Sequence, residues 1–339
     1  MCVTWCSVNE VELMTRTVVI EKTGGPEVMQ FVDVEIGEPG RGEVLVEHTA
    51  IGLSRFDVEC RAGIRKVKSL PYTPGVQAVG VVKKVGPDVE ALNIGDRVGY
   101  CTASGGSYSE ERIIDQKYLF KISDVVNDEV AAACIFKAMT AHYLTHRVYD
   151  VRPGTFALVY GVSGGVGNII CQWARHKGCE VIGVVGSDGY GVNIARDAGC
   201  SYVVNRSDPG VAKEILSITK GKGVNVVYDP IGREVCHLSF SVLGFFGLYI
   251  SYGQISGPIR NINMSTLGTR SWFVAAPQLQ HYKRSRLELA LTAMEVFEVV
   301  RRGHIKVDVG RVYSFQDIEK AHRDLENRKL SGHCIIRMK

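Results

Sequence analysis

The sequence predicts an α/β protein in which a β-rich unit is joined to a doubly wound parallel sheet, and three observations carry that prediction. Residues 14 to about 130 read as short alternating strands broken by glycine and proline turns. From Pro153 onward, apolar strands alternate with amphipathic helices, the pattern of a parallel sheet covered on both faces. A glycine-rich loop, Gly161 to Gly167, follows the first of those strands and opens the first of those helices. Composition agrees: 339 residues favour two domains, and 45% hydrophobic with 22% charged residues marks a globular chain. The 37 glycines against 10 prolines require many tight turns or close backbone approaches.

Residues 1–13 contain Glu10 and Glu12 and lack an apolar core, so they read as a frayed extension and not as a secretory signal. Strands are expected over Thr17 to Glu21, Glu43 to Ala50, Ala78 to Val85 and Asp96 to Cys101; alternation in VLVEHTAIG and AVGVVKKVG marks them as half-buried. The alanine-rich run DEVAAACIFKAMTAHYLTHRVYD has apolar residues at helical spacing and is expected to form two linking helices. TFALVYG is an uninterrupted apolar strand, and Val166, Ile169, Ile170 and Trp173 make Gly165 to Lys177 a helix with one apolar face. EVIGVVG, SYVVN, VNVVYD and FFGLYISYG are the next strands. Helices at Val192 to Ala198, Gly210 to Thr219 and Glu234 to Val242 separate them, and SWFVAA is a sixth strand. After Pro277 come a helix from Arg286 to Arg302, the β-rich IKVDVGRVYSF, a helix from Gln316 to Arg328 and a last strand, HCIIRM. This tail has no core of its own and is expected to fold back on the first unit.

Several classes of function are disfavoured. Forty basic and 36 acidic residues leave a net charge of +4, and the short basic runs lack interleaved aromatics, so nucleic acid is not the expected partner. The ten cysteines are dispersed without a C-x-x-C, which favours reduced thiols and a cytoplasmic location. No uncharged apolar stretch is long enough to span a bilayer.

The loop Gly161-Val162-Ser163-Gly164-Gly165-Val166-Gly167 carries the strongest chemical signal. It departs from strict G-x-G-x-x-G spacing at Val162, but the order strand, loop, helix is the context in which backbone amides meet a pyrophosphate. Ser163 lies in this loop and not in a hydrolase elbow. The other strand ends converge on the same crevice: Gly186-Ser187-Asp188, Asn205-Arg206, Asp229-Pro230 and Ser251-Tyr252-Gly253. Asp188 suits a ribose 2′-hydroxyl, whereas Arg206 suits a 2′-phosphate, so NADH and NADPH both remain open on local chemistry. His142 and His146 are spaced i, i+4, but no nearby carboxylate or cysteine completes a metal site, and they read as ordinary helix histidines.

Three stretches carry a family resemblance: VVIEKTGGPEVMQFVDVEIGEPGRGEVLVEHTAIGLSRFD, TPGVQAVGVVKKVGPDVEALNIGDRVGY and GVSGGVGNIICQWARHKG. From about Arg16 to the C-terminus, including VVYDPIG, IKVDV and ENRKLSGH, the chain resembles the quinone oxidoreductases, the zinc-independent, zeta-crystallin-like branch of the medium-chain dehydrogenases/reductases. The resemblance implies a GroES-like β-barrel domain (14–134 and 277–339) plus a Rossmann doubly wound parallel sheet (135–276). It further implies NADPH without zinc or flavin, and a homodimer. Ser54 and Val76-Gln77 stand where zinc-dependent relatives carry a cysteine and a histidine-glutamate pair, and neither serine nor valine replaces a thiolate and an imidazole on zinc.

By the same resemblance, Lys137, Thr140, Ser163, Gly164, Gly165, Val166, Gly167, Gly186, Ser187, Arg206, Tyr252, Gly253, Phe273, Val274 and Arg328 line the cofactor. Ser54, Phe56 and Glu59 occupy the catalytic pocket segment, with Glu59 where a tyrosine is common and Tyr190 where a lysine often meets the 2′-phosphate. Glu59 is either a proton donor to the reduced acceptor or a solvent-facing glutamate. The run Arg61 to Lys68 is expected to form a cationic rim. The implied activity is hydride transfer from nicotinamide C4 to a quinone. An enone or enoyl reductase on the same scaffold and a catalytically lapsed NADPH- or RNA-binding protein are the other readings.

Overall fold

Residues 43–52 are buried along most of their length, on both faces at Val44–Val46 and Ala50–Gly52, and that burial makes this segment the spine of the first sheet in the computed structural model, which describes residues 14–186, 191–327, 329–330 and 332–338. The chain enters through β1 (Met14–Val19), β2 (Gln30–Glu35) and β3 (Glu43–Gly52). It continues through the short helix α1 (Arg55–Arg61) to β4 (Ala78–Val85), β5 (Arg97–Tyr100), β6 (Glu111–Asp115) and β7 (Phe120–Lys121). Along one edge β3 pairs with β4; along the other, β6 takes Glu43 to Glu47.

The next segment differs from the two helices expected. It is one α-helix, α2 (Asp128–Tyr143), continued without a break by a π-helical turn over Leu144–Val148. The reason lies in the sequence: Asn127 caps the start by accepting from the Val130 amide at 2.8 Å, and no glycine or proline interrupts the run before Val148. Its small and apolar residues are buried on every side, so this is an internal pillar and not an amphipathic surface helix.

Strand and helix then alternate through β8 (Phe156–Tyr160), α3 (Gly165–His176), β9 (Glu180–Val185), α4 (Gly191–Asp197), β10 (Tyr202–Asn205) and α5 (Val211–Ile218). The series ends with β11 (Val224–Asp229), α6 (Cys236–Val242), β12 (Leu243–Ser251), α7 (Met264–Gly268) and β13 (Phe273–Ala275). The sheet is parallel and ordered β10-β9-β8-β11-β12-β13, so strand order reverses between β8 and β11. Successive residues of β8 face opposite layers: Ala157 and Val159 pack with Ile169, Ile170 and Trp173, while Leu158 and Tyr160 pack with Ile182, Ile215 and Val242.

The tail contains α8 (Leu279–Tyr282), α9 (Arg286–Arg301), β14 (Val309–Ser314), α10 (Ile318–Glu326) and β15 (His333–Arg337). It folds back as expected: β15 pairs antiparallel with residues 50–52 of β3, and Phe315, Ile318, Ala321 and Ile336 complete the core of the first sheet. No described helix is long and apolar enough to cross a membrane. Residues 1–13, Ser187, Asp188, Tyr190 and Arg328 lie outside the described residues.

Candidate active site

Close backbone approach explains the glycines at the strand-order reversal. Gly161 has φ of +67°, and Gly164 caps α3, its amide donating to the Gly161 carbonyl at 2.8 Å. A Cβ on Gly167 would lie 2.3 Å from that carbonyl oxygen, and a Cβ on Gly253 would lie 2.7 Å from the Pro230 carbonyl oxygen. The ends of β8, β11 and β12 are thereby packed together. No side chain caps α3, so its first amides, from Gly165 onward, face the crevice as donors suited to an anion.

Lys137 reaches this loop from α2. Its side chain lies against the Gly165 turn, where a Cβ would come 2.6 Å from Lys137 Cδ, and its Nζ donates to the Ala133 carbonyl at 3.0 Å. Burial lowers the amine to about 8. His333 of β15 sits at the same turn with its Nδ1 unpartnered among the described residues, and burial first, then Lys137, push its imidazole down to about 3. Tyr252 likewise encloses a hydroxyl without a partner among the described residues. The unmet His333 nitrogen beside free amides suits a polar ligand such as a dinucleotide.

Other candidate residues are engaged within the protein. The Asp229 carboxylate accepts from the amides of Ile231 at 2.6 Å and Gly232 at 3.0 Å and from the Tyr249 hydroxyl, so it braces its own turn. Arg206 is ion-paired with Glu234 at 3.3 Å, and Thr140 donates to the Phe136 carbonyl at 2.7 Å. Ser163 is exposed at the loop tip, Gly186 is the last described residue after β9, and Phe273 and Val274 are exposed on edge strand β13.

On the facing side, Ser54 caps α1 by accepting from the Phe56 amide at 3.0 Å. The Phe56 ring packs edge-on against Phe136, the residue beside Lys137, at 5.9 Å between centroids. Arg65 lies 4.4 Å over the Phe56 ring and donates twice to the Glu59 carboxylate, at 3.1 and 3.3 Å. Glu59 is therefore a half-buried ion-pair partner and not a solvent-facing glutamate. The cationic rim also needs correction: Arg61 is buried and donates both guanidinium arms to Glu326 of α10, at 2.6 and 3.2 Å, leaving Lys66 and Lys68 exposed. Arg65, Lys66, Val67 and Leu70 border a cavity of about 370 Å³. A larger depression, near 520 Å³, lies beside Thr155 and Asn225 at the opposite end of the parallel strands and is not part of this crevice.

Residues that sequence patterning did not single out also belong here. His333 is one; Asp57 is another, a buried carboxyl pushed up to about 7 by burial, against the lowering effects of the Val76 and Ser54 backbone and the Tyr108 hydroxyl.

A quinone oxidoreductase of Salmonella typhimurium is 37% identical over 326 residues, spanning 95% of this chain and 99% of the relative. The chain belongs to the quinone oxidoreductase family. A 2-haloacrylate reductase of a Burkholderia species is 36% identical over 95% of the chain and 99% of its own length. The crystal structure of Escherichia coli quinone oxidoreductase complexed with NADPH superposes with a TM-score of 0.91 at 35% identity, covering 96% of this chain and all of that one. Residues 40–124 match the alcohol dehydrogenase GroES-like domain, and residues 165–280 match the zinc-binding dehydrogenase model, which places this quinone oxidoreductase family member among the medium-chain dehydrogenases/reductases.

Zinc does not fit the pocket donors of this family member. Ser54 Oγ is occupied as a helix cap, Val76 offers no lone pair, and Gln77 Oε1 accepts from the Phe136 amide at 3.0 Å. Elsewhere, however, the expectation that no carboxylate completes the histidine pair is overturned: Glu295 lies 3.0 Å from His142 and 3.7 Å from His146. Sequence distance concealed it, since Glu295 and His142 are 153 residues apart.

Proposed function

We propose that this chain is an NADPH-dependent quinone reductase acting in the cleft between the glycine loop and α1. The observation that carries the reading is the placement of α2, where consecutive residues serve the two sides: Lys137 touches the Gly165 turn, and Phe136 touches Phe56. NADPH, when bound, supplies the hydride; the chain's own work is placement. The amides opening α3 and the Lys137 amine receive the phosphates, with Ser163 to Gly167 and Gly253 allowing close backbone approach. Phe56 and Phe136 present an apolar wall to a flat acceptor. Transfer of a hydride leaves the acceptor needing a proton, which solvent supplies and Glu59 relays once its contact with Arg65 opens. Donor chemistry at Ser54, Val76 and Gln77 does not support a zinc step.

Steady-state NADPH oxidation with a panel of small quinones tests the reading, and no turnover with any of them at saturating cofactor overturns it. A second reading, reduction of an activated alkene, is favoured by the 36% identity to a 2-haloacrylate reductase; faster turnover of haloacrylates or alkenals than of quinones would establish it.

Arg206 is assigned to the 2′-phosphate, in competition with Glu234. Arg206→Ala should lower the NADPH over NADH preference, and Glu234→Gln should raise it; unchanged ratios of kcat/KM in both variants would refute the assignment. The cofactor-lining roles of the remaining residues, including Gly186, Ser187, Tyr252, Phe273, Val274 and Arg328, belong to the same proposal. So does a division into 14–134 with 277–339 and 135–276. A homodimer is supported by edge strand β13, beside which Phe245, Phe246 and Phe273 are exposed; a monomer mass in light scattering would exclude it.

A further inference from the structure

The far end of α2 carries a side-chain cluster that hydride transfer does not use. His142 lies in the last turn of α2 and His146 in the π-helical turn that follows, with ring centroids 4.4 Å apart and planes 7° apart. Trp173 of α3 meets both rings edge-on, at 5.4 and 5.2 Å, which restricts their rotation. Glu295 of α9 closes the remaining side: Oε2 is 3.0 Å from His142 Nε2, and Oε1 is 3.7 Å from His146 Nε2.

Hydrogen bonding fixes which nitrogen is available. His146 Nδ1 lies 3.0 Å from the His142 carbonyl oxygen, which can only accept, and 2.9 Å from the Thr145 hydroxyl, whose own proton is donated to the Ala141 carbonyl at 2.8 Å, so Nδ1 carries the proton and Nε2 presents a lone pair. That lone pair faces Glu295 Oε1, itself an acceptor, beyond hydrogen-bond reach. Two acceptors turned toward each other repel unless a cation lies between them. The nearby Lys177 ammonium is held by Asp150 at 2.8 Å.

We propose that His142, His146 and Glu295 bind a divalent first-row transition ion, zinc above all, which clamps α2 to α9. All three ligand atoms lie within 4.8 Å of one another. Ligands about 2.0–2.1 Å from a tetrahedral zinc stand about 3.4 Å apart, and the separations of 3.0 and 3.7 Å bracket that edge. The bond from His146 Nδ1 to a backbone carbonyl is the outer-shell contact that orients metal-bound imidazoles. Two imidazoles and one carboxylate suit zinc, copper, nickel or cobalt better than magnesium or calcium. Glu295 is half exposed, so solvent can complete the coordination. Trp173 lies eight residues past Gly165, about 12 Å along α3, which separates this site from the cofactor loop.

The test uses the full, tag-free chain after chelator treatment, titrated with Zn²⁺ by calorimetry and with Co²⁺ by visible absorption. One equivalent should bind, ligand-field bands should appear with Co²⁺, and Zn²⁺ should raise the Tm. Glu295→Gln and His146→Gln should each weaken binding roughly tenfold or more. Quinone-dependent NADPH oxidation should be unchanged in both variants. No saturable binding below about 1 mM, or wild-type binding in both variants, would overturn the proposal.

Discussion

Asp57 is the residue at which burial and charge conflict most directly. Its carboxyl is pushed up to about 7, from 3.8 in an exposed chain, so the folded protein retains a proton that the unfolded chain releases. The resulting stability is fully present below pH 4 and is lost as pH rises to 7, a swing on the order of 4 kcal/mol. Asp57→Asn keeps the shape and removes the titration. The Tm of this variant minus that of wild type should therefore rise between pH 4 and 7 and level off above; a difference independent of pH would show that the carboxyl titrates normally. Nothing local in RFDVECR marks Asp57 as unusual, because its environment is built from Val76 and Tyr108, remote in sequence.

Among the elements, the loop before α3 was legible because its chemistry is local: strand, glycines and helix are contiguous. Within it, two glycines serve different ends. Gly167→Ala would drive a Cβ into the Gly161 backbone and should cost several kcal/mol of stability. Gly165→Ala would press mainly on the flexible end of the Lys137 side chain, with His333 Nδ1 farther off at 3.3 Å, so it should weaken NADPH binding with little change in Tm. Thermal unfolding with and without NADPH separates the two, and equal losses of Tm would contradict this account. Elements with non-local or weak signals were misread or missed. β2 is polar and exposed along QFVDVE and, among the described residues, is paired only to β1; α1 is too short for helical periodicity to register; and α2, apolar all round, has no polar face from which to judge its continuity. The crevice was legible at its phosphate end, whereas His333 and Glu295 reach their partners only through the fold.

At the scale of the whole molecule, N- and C-terminal segments are joined by shared strands and by an ion pair between the buried Arg61 and the partly exposed Glu326. Glu326→Gln would leave the buried Arg61 guanidinium without its counter-charge and should destabilise the protein by about 1–3 kcal/mol, since the Glu326 side is open to solvent. An unchanged denaturation midpoint would mean that Arg61 finds another partner. Buried histidines set the acid limit: burial lowers His48 to about 4 and His322 to about 3, from 6.5. Because these groups stay neutral in the fold while the unfolded chain protonates, stability is complete above pH 6.5 and is lost as pH falls toward 4 and 3. The contributions are on the order of 3 kcal/mol for His48 and about 5 kcal/mol for His322. A Tm that stays flat from pH 6.5 to 4 would contradict this. The pairing of β15 with β3 has a consequence for synthesis. A ribosome delivers β3 early and β15 last, so part of one strand edge waits unpaired through most of translation, while the contiguous parallel sheet can form as it emerges. His333 travels with that final strand, so the nascent chain has a phosphate loop long before it has a finished cleft.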